Sequence, residues 1–78
     1  MEWKNRIVSD KEILLGKPTI KGTRISVELI LELLASDWSE EMILESYPRL
    51  TEQDIHAVYA YLQDCVQHEF FFSLPTPA

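Results

Sequence analysis

Apolar residues recur at helical spacing in three stretches of the chain. The first stretch covers residues 27–34 and follows Ser26, a residue type whose side chain caps helices. A second, shorter stretch begins after Ser39 and stops before a proline, because the residue preceding a proline avoids the helical conformation. A third begins after Thr51 and runs to about Glu69. The pattern therefore predicts three helices with short connections, which is typical of a compact bundle.

The apolar positions also indicate which side chains face the core. In the second helix we expect Met42, Ile43 and Tyr47 to point inward. The third helix has one apolar stripe, formed by Ile55, Val58, Tyr59, Leu62 and Val66.

The first helix has an unusually wide apolar face. Leu29 and Leu33 extend its apolar arc to about 200°, so that only Glu28 and Glu32 clearly face water. A domain this small has little chain left to cover such an arc. Either the N-terminal segment lies across it, or another chain does.

The N-terminal segment has the pattern of a β element. Gly16 and Pro18 interrupt the preceding apolar run, because glycine permits a positive φ and proline fixes φ. Residues 18–20 and 23–25 then flank Lys21-Gly22, which predicts a short hairpin with a positive φ at Gly22. Residues 6–8 are also β-prone.

Charge is divided unevenly along the 78 residues, whose net charge is −6. Residues 1–24 carry six Lys or Arg and three Asp or Glu, a sum of +3, whereas residues 25–78 carry one and ten, a sum of −9. Because nucleic-acid affinity comes largely from neutralising phosphates, only the N-terminal arm is suited to supply it.

The single cysteine excludes an internal disulfide and fits a reducing compartment. With no visible secretory signal and no long apolar segment, we expect a cytoplasmic protein without a membrane partner.

Three segments together carry a resemblance to a known family: GKPTIKGTRI at 16–25, VELILELLASDWSEEMILESYP at 27–48 and LTEQDI at 50–55. From about Ile7 to Leu62 the chain resembles the bacterial domain-of-unknown-function family 433, often described as VapB-type antitoxin-like. The resemblance implies a mostly α fold, in which a short N-terminal β-hairpin element precedes a three-helix, homeodomain-like helix-turn-helix bundle. It also implies an antitoxin of a toxin–antitoxin pair, with a PIN-like ribonuclease as the toxin, and transcription regulation of its own promoter. It brings no catalytic residues.

The chain departs from the family pattern at the first turn between helices. Asp37 stands where the family usually has glycine, and Trp38 where a smaller aliphatic residue is usual. Asp adopts the left-handed conformation of a helix C-terminus, though less readily than glycine.

DNA binding is the first functional hypothesis. The second and third helices form a helix-turn-helix in which the third is the reader, with Glu52, Gln53, His56, Ala57 and Ala60 expected at its exposed N-terminal positions. Glu52 and Asp54 would oppose a phosphate backbone, so the better route is a dimer whose two arms contact phosphates together. The candidate contact residues are Lys17, Lys21, Thr23, Arg24, Gln53 and His56. Arg24 has a structural alternative, an ion pair with Glu28 one helical turn later.

Protein binding is the second hypothesis, and it is compatible with the first. The acidic body suits a basic ribonuclease surface, and the wide apolar arc suits a second copy of the chain. Candidate residues for a homodimer or partner interface are Leu29, Leu33, Trp38, Phe70, Phe71 and Phe72. We expect one domain over residues 1–69 and an aromatic, proline-containing tail over 70–78, whose phenylalanines either pack on the core or bind a partner.

Catalysis is the least supported hypothesis. Asp64, Cys65 and His68 lie close together on the third helix, but the sequence suggests no third metal ligand and no base with an orienting group. The two glycines match no nucleotide-binding spacing. We therefore expect a non-enzyme without metal, cofactor or small-molecule substrate.

The preferred function is an antitoxin-like regulator that binds a toxin and, as a dimer, promoter DNA. The alternative is an interaction or dimerisation module without a DNA role.

Overall fold

The computed structural model describes residues 2–68, which form three helices and a two-stranded antiparallel sheet. In chain order the elements are a 3-10 turn at Trp3–Asn5, β1 at Ile7–Val8, a second 3-10 turn at Leu14–Gly16, β2 at Thr19–Ile20, α1 at Val27–Ala35, α2 at Glu40–Ser46 and α3 at Glu52–Gln67. In this part of the chain no helix has the length and apolarity needed to cross a bilayer.

Each helix begins where the sequence predicts, because a hydroxyl side chain caps it. Ser26 accepts a hydrogen bond from the backbone N–H of Leu29, at 2.9 Å, and Ser39 accepts one from Met42, at 3.1 Å. Thr51 caps α3, which ends at Gln67, two residues before the predicted end. The turn after α1 places Asp37 at φ 68°, so this residue takes the left-handed conformation that glycine adopts most easily.

The β pairing differs from the predicted hairpin. β1 pairs with β2 in antiparallel register, Ile7 opposite Ile20 and Val8 opposite Thr19. The predicted turn is present, with Gly22 at φ 80° and a hydrogen bond of 2.9 Å from Ile20 N–H to the Ile25 carbonyl, but it continues into a single bridge rather than a second strand. Pairing with residues 7–8 is favoured because it buries Ile7 and Ile20 together in the core.

The core lies between the sheet and the three helices. Its fully buried large side chains come from β2 and every helix, and they are Ile20, Ile30, Ile43, Ile55 and Val58. The arm crosses the start of α1, where Val27 N–H donates to the Pro18 carbonyl at 2.9 Å. It therefore covers part of the wide apolar face of α1, although Leu29 and Leu33 stay only partly buried.

Three positions predicted to face inward are exposed: Met42, Tyr59 and Val66. Conversely Ala57, expected on the surface, is fully buried. For the positions on α3 the reason is that the N-terminal turn packs against this helix, with the Trp3 ring 4.9 Å from Tyr61 in an edge-to-face contact. The buried face of α3 is thereby rotated toward Ala57 and away from Tyr59.

The second 3-10 turn has a strained backbone. Leu14, Leu15 and Gly16 all have positive φ values, of 50°, 57° and 86°. Each leucine in this region costs roughly 1 kcal/mol or more, because its Cβ crowds the backbone. Hydrogen bonds hold the turn: Ser9 Oγ donates to the Gly16 carbonyl, and Lys17 N–H donates to Leu14 at 3.2 Å.

Candidate nucleic-acid interface

A hydrogen bond joins two segments of the chain that together carry three basic residues. Lys21 and Arg24 belong to the turn after β2, and Arg49 belongs to the connection between α2 and α3. The Arg49 guanidinium donates from Nη2 to the Gly22 carbonyl at 2.7 Å, which fastens that connection to the turn. We refer to Lys21, Arg24 and Arg49 as the basic turn cluster.

The charges of the basic turn cluster are not neutralised within residues 2–68. The two ion pairs in this part of the chain are Arg6 with Asp54 and Lys17 with Glu28, each at 3.1 Å. All three cluster residues are exposed. The cluster is thus free to bind an anion such as a phosphate.

The predicted arm contacts do not all join this cluster. Lys17 pairs with Glu28, so the proposed Arg24–Glu28 ion pair is not formed. Both partners of the observed pair are mostly exposed, and such pairs are weak.

Thr23 has a role inside the turn. Its side chain is buried, donates to the Ile20 carbonyl at 2.8 Å and accepts from Ile25 N–H at 3.0 Å. These bonds hold the turn that presents Lys21 and Arg24.

The first turn of α3 is less acidic on its surface than expected. Asp54 is only 6% exposed, accepts from Thr51 N–H at 3.0 Å in a capping box, and pairs with Arg6. The expectation that Asp54 opposes a phosphate backbone is therefore wrong, because cap and arm draw this carboxylate inward. Glu52, Gln53 and His56 are exposed as predicted.

A shallow groove joins the arm, the turn and the start of α3. It measures about 310 Å³ and is lined by Asn5, Arg6, Lys21 and Asp54. Its lining places Lys21 next to Asp54 in the first turn of α3.

The predicted partner residues fall into three groups. Leu33 and Trp38 pack against the core, joined by a hydrogen bond of 3.0 Å from Trp38 N–H to the Leu33 carbonyl. Leu29 lines a groove together with Leu14 and Leu15. The phenylalanines at 70–72 lie outside the described residues.

The polar residues near the end of α3 connect it to the N-terminal turn. Trp3 Nε1–H donates to the Asp64 carboxylate, and His68 Nδ1 lies 2.8 Å from the Asp64 carbonyl. Burial, followed by a hydrogen bond with Cys65, raises the pKa of the Tyr61 phenol. Between residues 2 and 68, no three His, Cys, Asp or Glu side chains lie close enough to share a metal ion.

Two features of the structure were not predicted from the sequence. Arg49 was counted with the acidic body, although its place two residues before the Thr51 cap was a signal that it lies beside α3. The exposed Leu14–Leu15 turn had no such signal, because no residue pattern predicts two leucines in the left-handed conformation.

Comparison with known proteins gives one match. A family described as "Protein of unknown function (DUF433)" matches residues 7–62, which include the basic turn cluster and the capping box but neither Trp3 nor Asp64. No curated protein and no solved structure matches the chain. Because the match covers well over half of the sequence, the chain belongs to the DUF433 family.

Proposed function

We propose that the protein is an antitoxin-like regulator that binds promoter DNA as a dimer and neutralises a PIN-like ribonuclease toxin. In this proposal α2 and α3 act as a homeodomain-like helix-turn-helix. The basic turn cluster contacts phosphates, and the exposed side of α3 lies toward the bases.

The observation that carries the DNA role is the hydrogen bond between Arg49 and Gly22. It joins Arg49 to the turn that carries Lys21 and Arg24, 25 residues or more away in the sequence, and none of the three forms an ion pair within residues 2–68. Phosphate contacts of this kind set the position of a protein on a duplex.

Base contacts fall to Gln53 and His56, which are exposed in the first two turns of α3. A glutamine amide pairs with adenine through one donor and one acceptor, and an imidazole donates to a base or a phosphate. Glu52 remains exposed beside them and opposes tight binding by one copy. Two copies bring six cluster cations to the duplex, which is why the proposal requires a dimer.

The toxin role rests on the acidic face of α2. Glu41 and Glu45 are exposed there and form no ion pair within residues 2–68. A ribonuclease needs a basic surface for its substrate, and an acidic surface is electrostatically complementary to it. This role is supported further by the antitoxin-like members that the chain resembles.

A salt titration tests the DNA role. We expect a duplex from upstream of the reading frame to bind at low salt, with affinity falling steeply as salt rises. Arg24→Gln lowers the affinity and reduces the slope of log affinity against log salt by about 1 per copy, because each lost phosphate contact retains its counterion. Because the Arg24 side chain makes no hydrogen bond or ion pair within residues 2–68, the melting temperature of this variant should stay that of the wild type.

Lys11→Gln is the matched control, since Lys11 is an exposed cation outside the cluster. It should leave the slope unchanged. Equal effects of the two variants, or no duplex binding even at low salt, would reject the DNA role. The latter result would favour the second candidate, an interaction module without DNA, which the net charge of −6 also supports.

A further inference from the structure

An apolar surface lies on the arm side of α1. It consists of Leu14, Leu15 and Leu29, and we call it the leucine ridge. Leu15 is 94% exposed, and it stands at a groove of about 470 Å³ whose lining also includes Leu14, Leu29 and Ser26. A projecting side chain and a hollow of matching chemistry therefore stand side by side.

The backbone of Leu15 has an unfavourable conformation for leucine, and in it the side chain points outward. Leu14 and Leu15 have left-handed φ values of 50° and 57°, which leucine rarely adopts. The protomer gains no burial from Leu15 in return, because almost all of the side chain is in water. Strain without local compensation is typical of positions that bind something.

The rim of the groove carries both signs of charge. Lys17 stands on the arm side, and Glu28 and Glu32 stand on α1. Lys17 bridges to Glu28 within the chain, whereas Glu32 has no ion pair within residues 2–68. A partner that presents an apolar knob, a cation and a carboxylate complements all of these features.

We propose that the leucine ridge is the interface with a second copy of this chain. A two-fold axis beside the ridge places Leu15 of each copy in the groove of the other, because knob and groove are neighbours on one surface. The same operation brings Lys17 of each copy toward Glu32 of the other. A wholly basic partner would leave Lys17 opposed by like charge, which is why a second copy fits better.

This interface specifies how the DNA-binding dimer of the proposed function forms. Its role in regulation therefore rests on that proposed function. The dimer itself is tested without DNA, so the two proposals fail separately. A chain whose Leu15→Asn variant dimerises as well as the wild type, and which binds duplex with the expected salt slope, refutes the interface and leaves the DNA role standing.

The test is sedimentation velocity of the full chain across the micromolar range. The wild type is expected to change from monomer to dimer as its concentration rises. Leu15→Asn, which suits a left-handed backbone but removes the knob, should raise the dimer dissociation constant at least about thirtyfold. Met42→Gln is the control, since it removes a 46% exposed apolar side chain from α2 and should leave the constant unchanged.

A thermal melt in dilute solution shows whether a variant loses the dimer because it is unfolded. Leu15→Asn and Leu15→Gly relieve the backbone, so at concentrations where the wild type is monomeric both should melt at the same temperature as the wild type or higher. Loss of the dimer with an unchanged or raised melting temperature supports the interface.

Three outcomes would overturn it. They are a wild type that stays monomeric at every concentration, a Leu15→Asn dimer as stable as the wild type, and an equal loss in Met42→Gln. If Leu15→Asn instead abolishes binding of a co-expressed PIN-like ribonuclease while self-association is unaffected, the ridge belongs to that partner and not to a second copy.

Discussion

Tyr59 shows how a residue predicted for the core takes a polar role at the surface. Its hydroxyl donates to the Glu40 carboxylate at 3.1 Å and so connects α3 to the first turn of α2. Partial burial, and then the hydrogen bond and charge of Glu40, raise the pKa of the Tyr59 phenol above its ordinary value of 10. The native state therefore favours the neutral phenol more than the unfolded chain does.

This preference predicts a loss of stability in alkali. The contribution of Tyr59 is fully present below about pH 10, the pKa of an unperturbed tyrosine, and is lost as the pH rises through the higher native pKa. In urea unfolding at increasing pH, Tyr59→Phe should show a shallower decline above pH 10 than the wild type. Some decline remains, because the pKa of Tyr61 is also raised.

Glu40→Gln gives the companion measurement. It keeps a hydrogen-bond acceptor but removes the charge, so its alkaline decline should lie between those of the wild type and Tyr59→Phe, since burial is the larger cause. A decline in Tyr59→Phe as steep as that of the wild type would show that this contact has no part in the pH dependence.

At the scale of elements, the start of α3 joins the helix to the N-terminal arm. Thr51 and Asp54 form the capping box, and the other oxygen of Asp54 accepts from Arg6, which leads into β1. One carboxylate therefore satisfies the backbone N–H of Thr51 and also fixes the arm against the helix through Arg6. The position of Lys21 beside α3 depends on this connection.

Asp54→Ala should lower the free energy of unfolding by about 2 kcal/mol, because it removes half of the capping box and leaves Arg6 without its partner. Glu52→Ala is the matched control in the same helical turn, and it should cost only about 0.5 kcal/mol, since Glu52 is exposed and interacts mainly with the helix dipole. Chemical denaturation measures both. Equal losses would mean that the contacts of Asp54 contribute nothing beyond its charge.

Elements whose determinants are local were predictable from the sequence. Ser26, Ser39 and Thr51 each mark a helix start, because a cap acts within three residues of its own position. The pairing of β1 with β2 was not predicted, since it joins segments a dozen residues apart and depends on which partner buries Ile20. The identity of the buried face of α3 was not predicted either, because the N-terminal turn that covers this helix is distant from it in sequence.

At the scale of the whole molecule, folding redistributes charge that the sequence divides at residue 24. In the sequence a cationic arm precedes an anionic body. In the fold, Arg49 of the body is hydrogen-bonded to the turn of the arm that carries Lys21 and Arg24. Lys17 and Arg6 of the arm are meanwhile paired with carboxylates of the helices. The candidate contacts Lys21, Arg24, Gln53 and His56 stay predictions from residue type, whereas the bond that joins Arg49 to the turn of Lys21 and Arg24 required the tertiary structure.

The central claim is that DNA binds at the basic turn cluster and the start of α3. Backbone amide NMR spectra, recorded while a duplex from upstream of the reading frame is added at low salt, test it most directly. We predict that the signals of residues 21–24, Arg49 and Gln53 shift, while those of Glu41 and Glu45 on the acidic face of α2 do not. Shifts confined to that acidic face, or no shifts at saturating duplex, would contradict the claim.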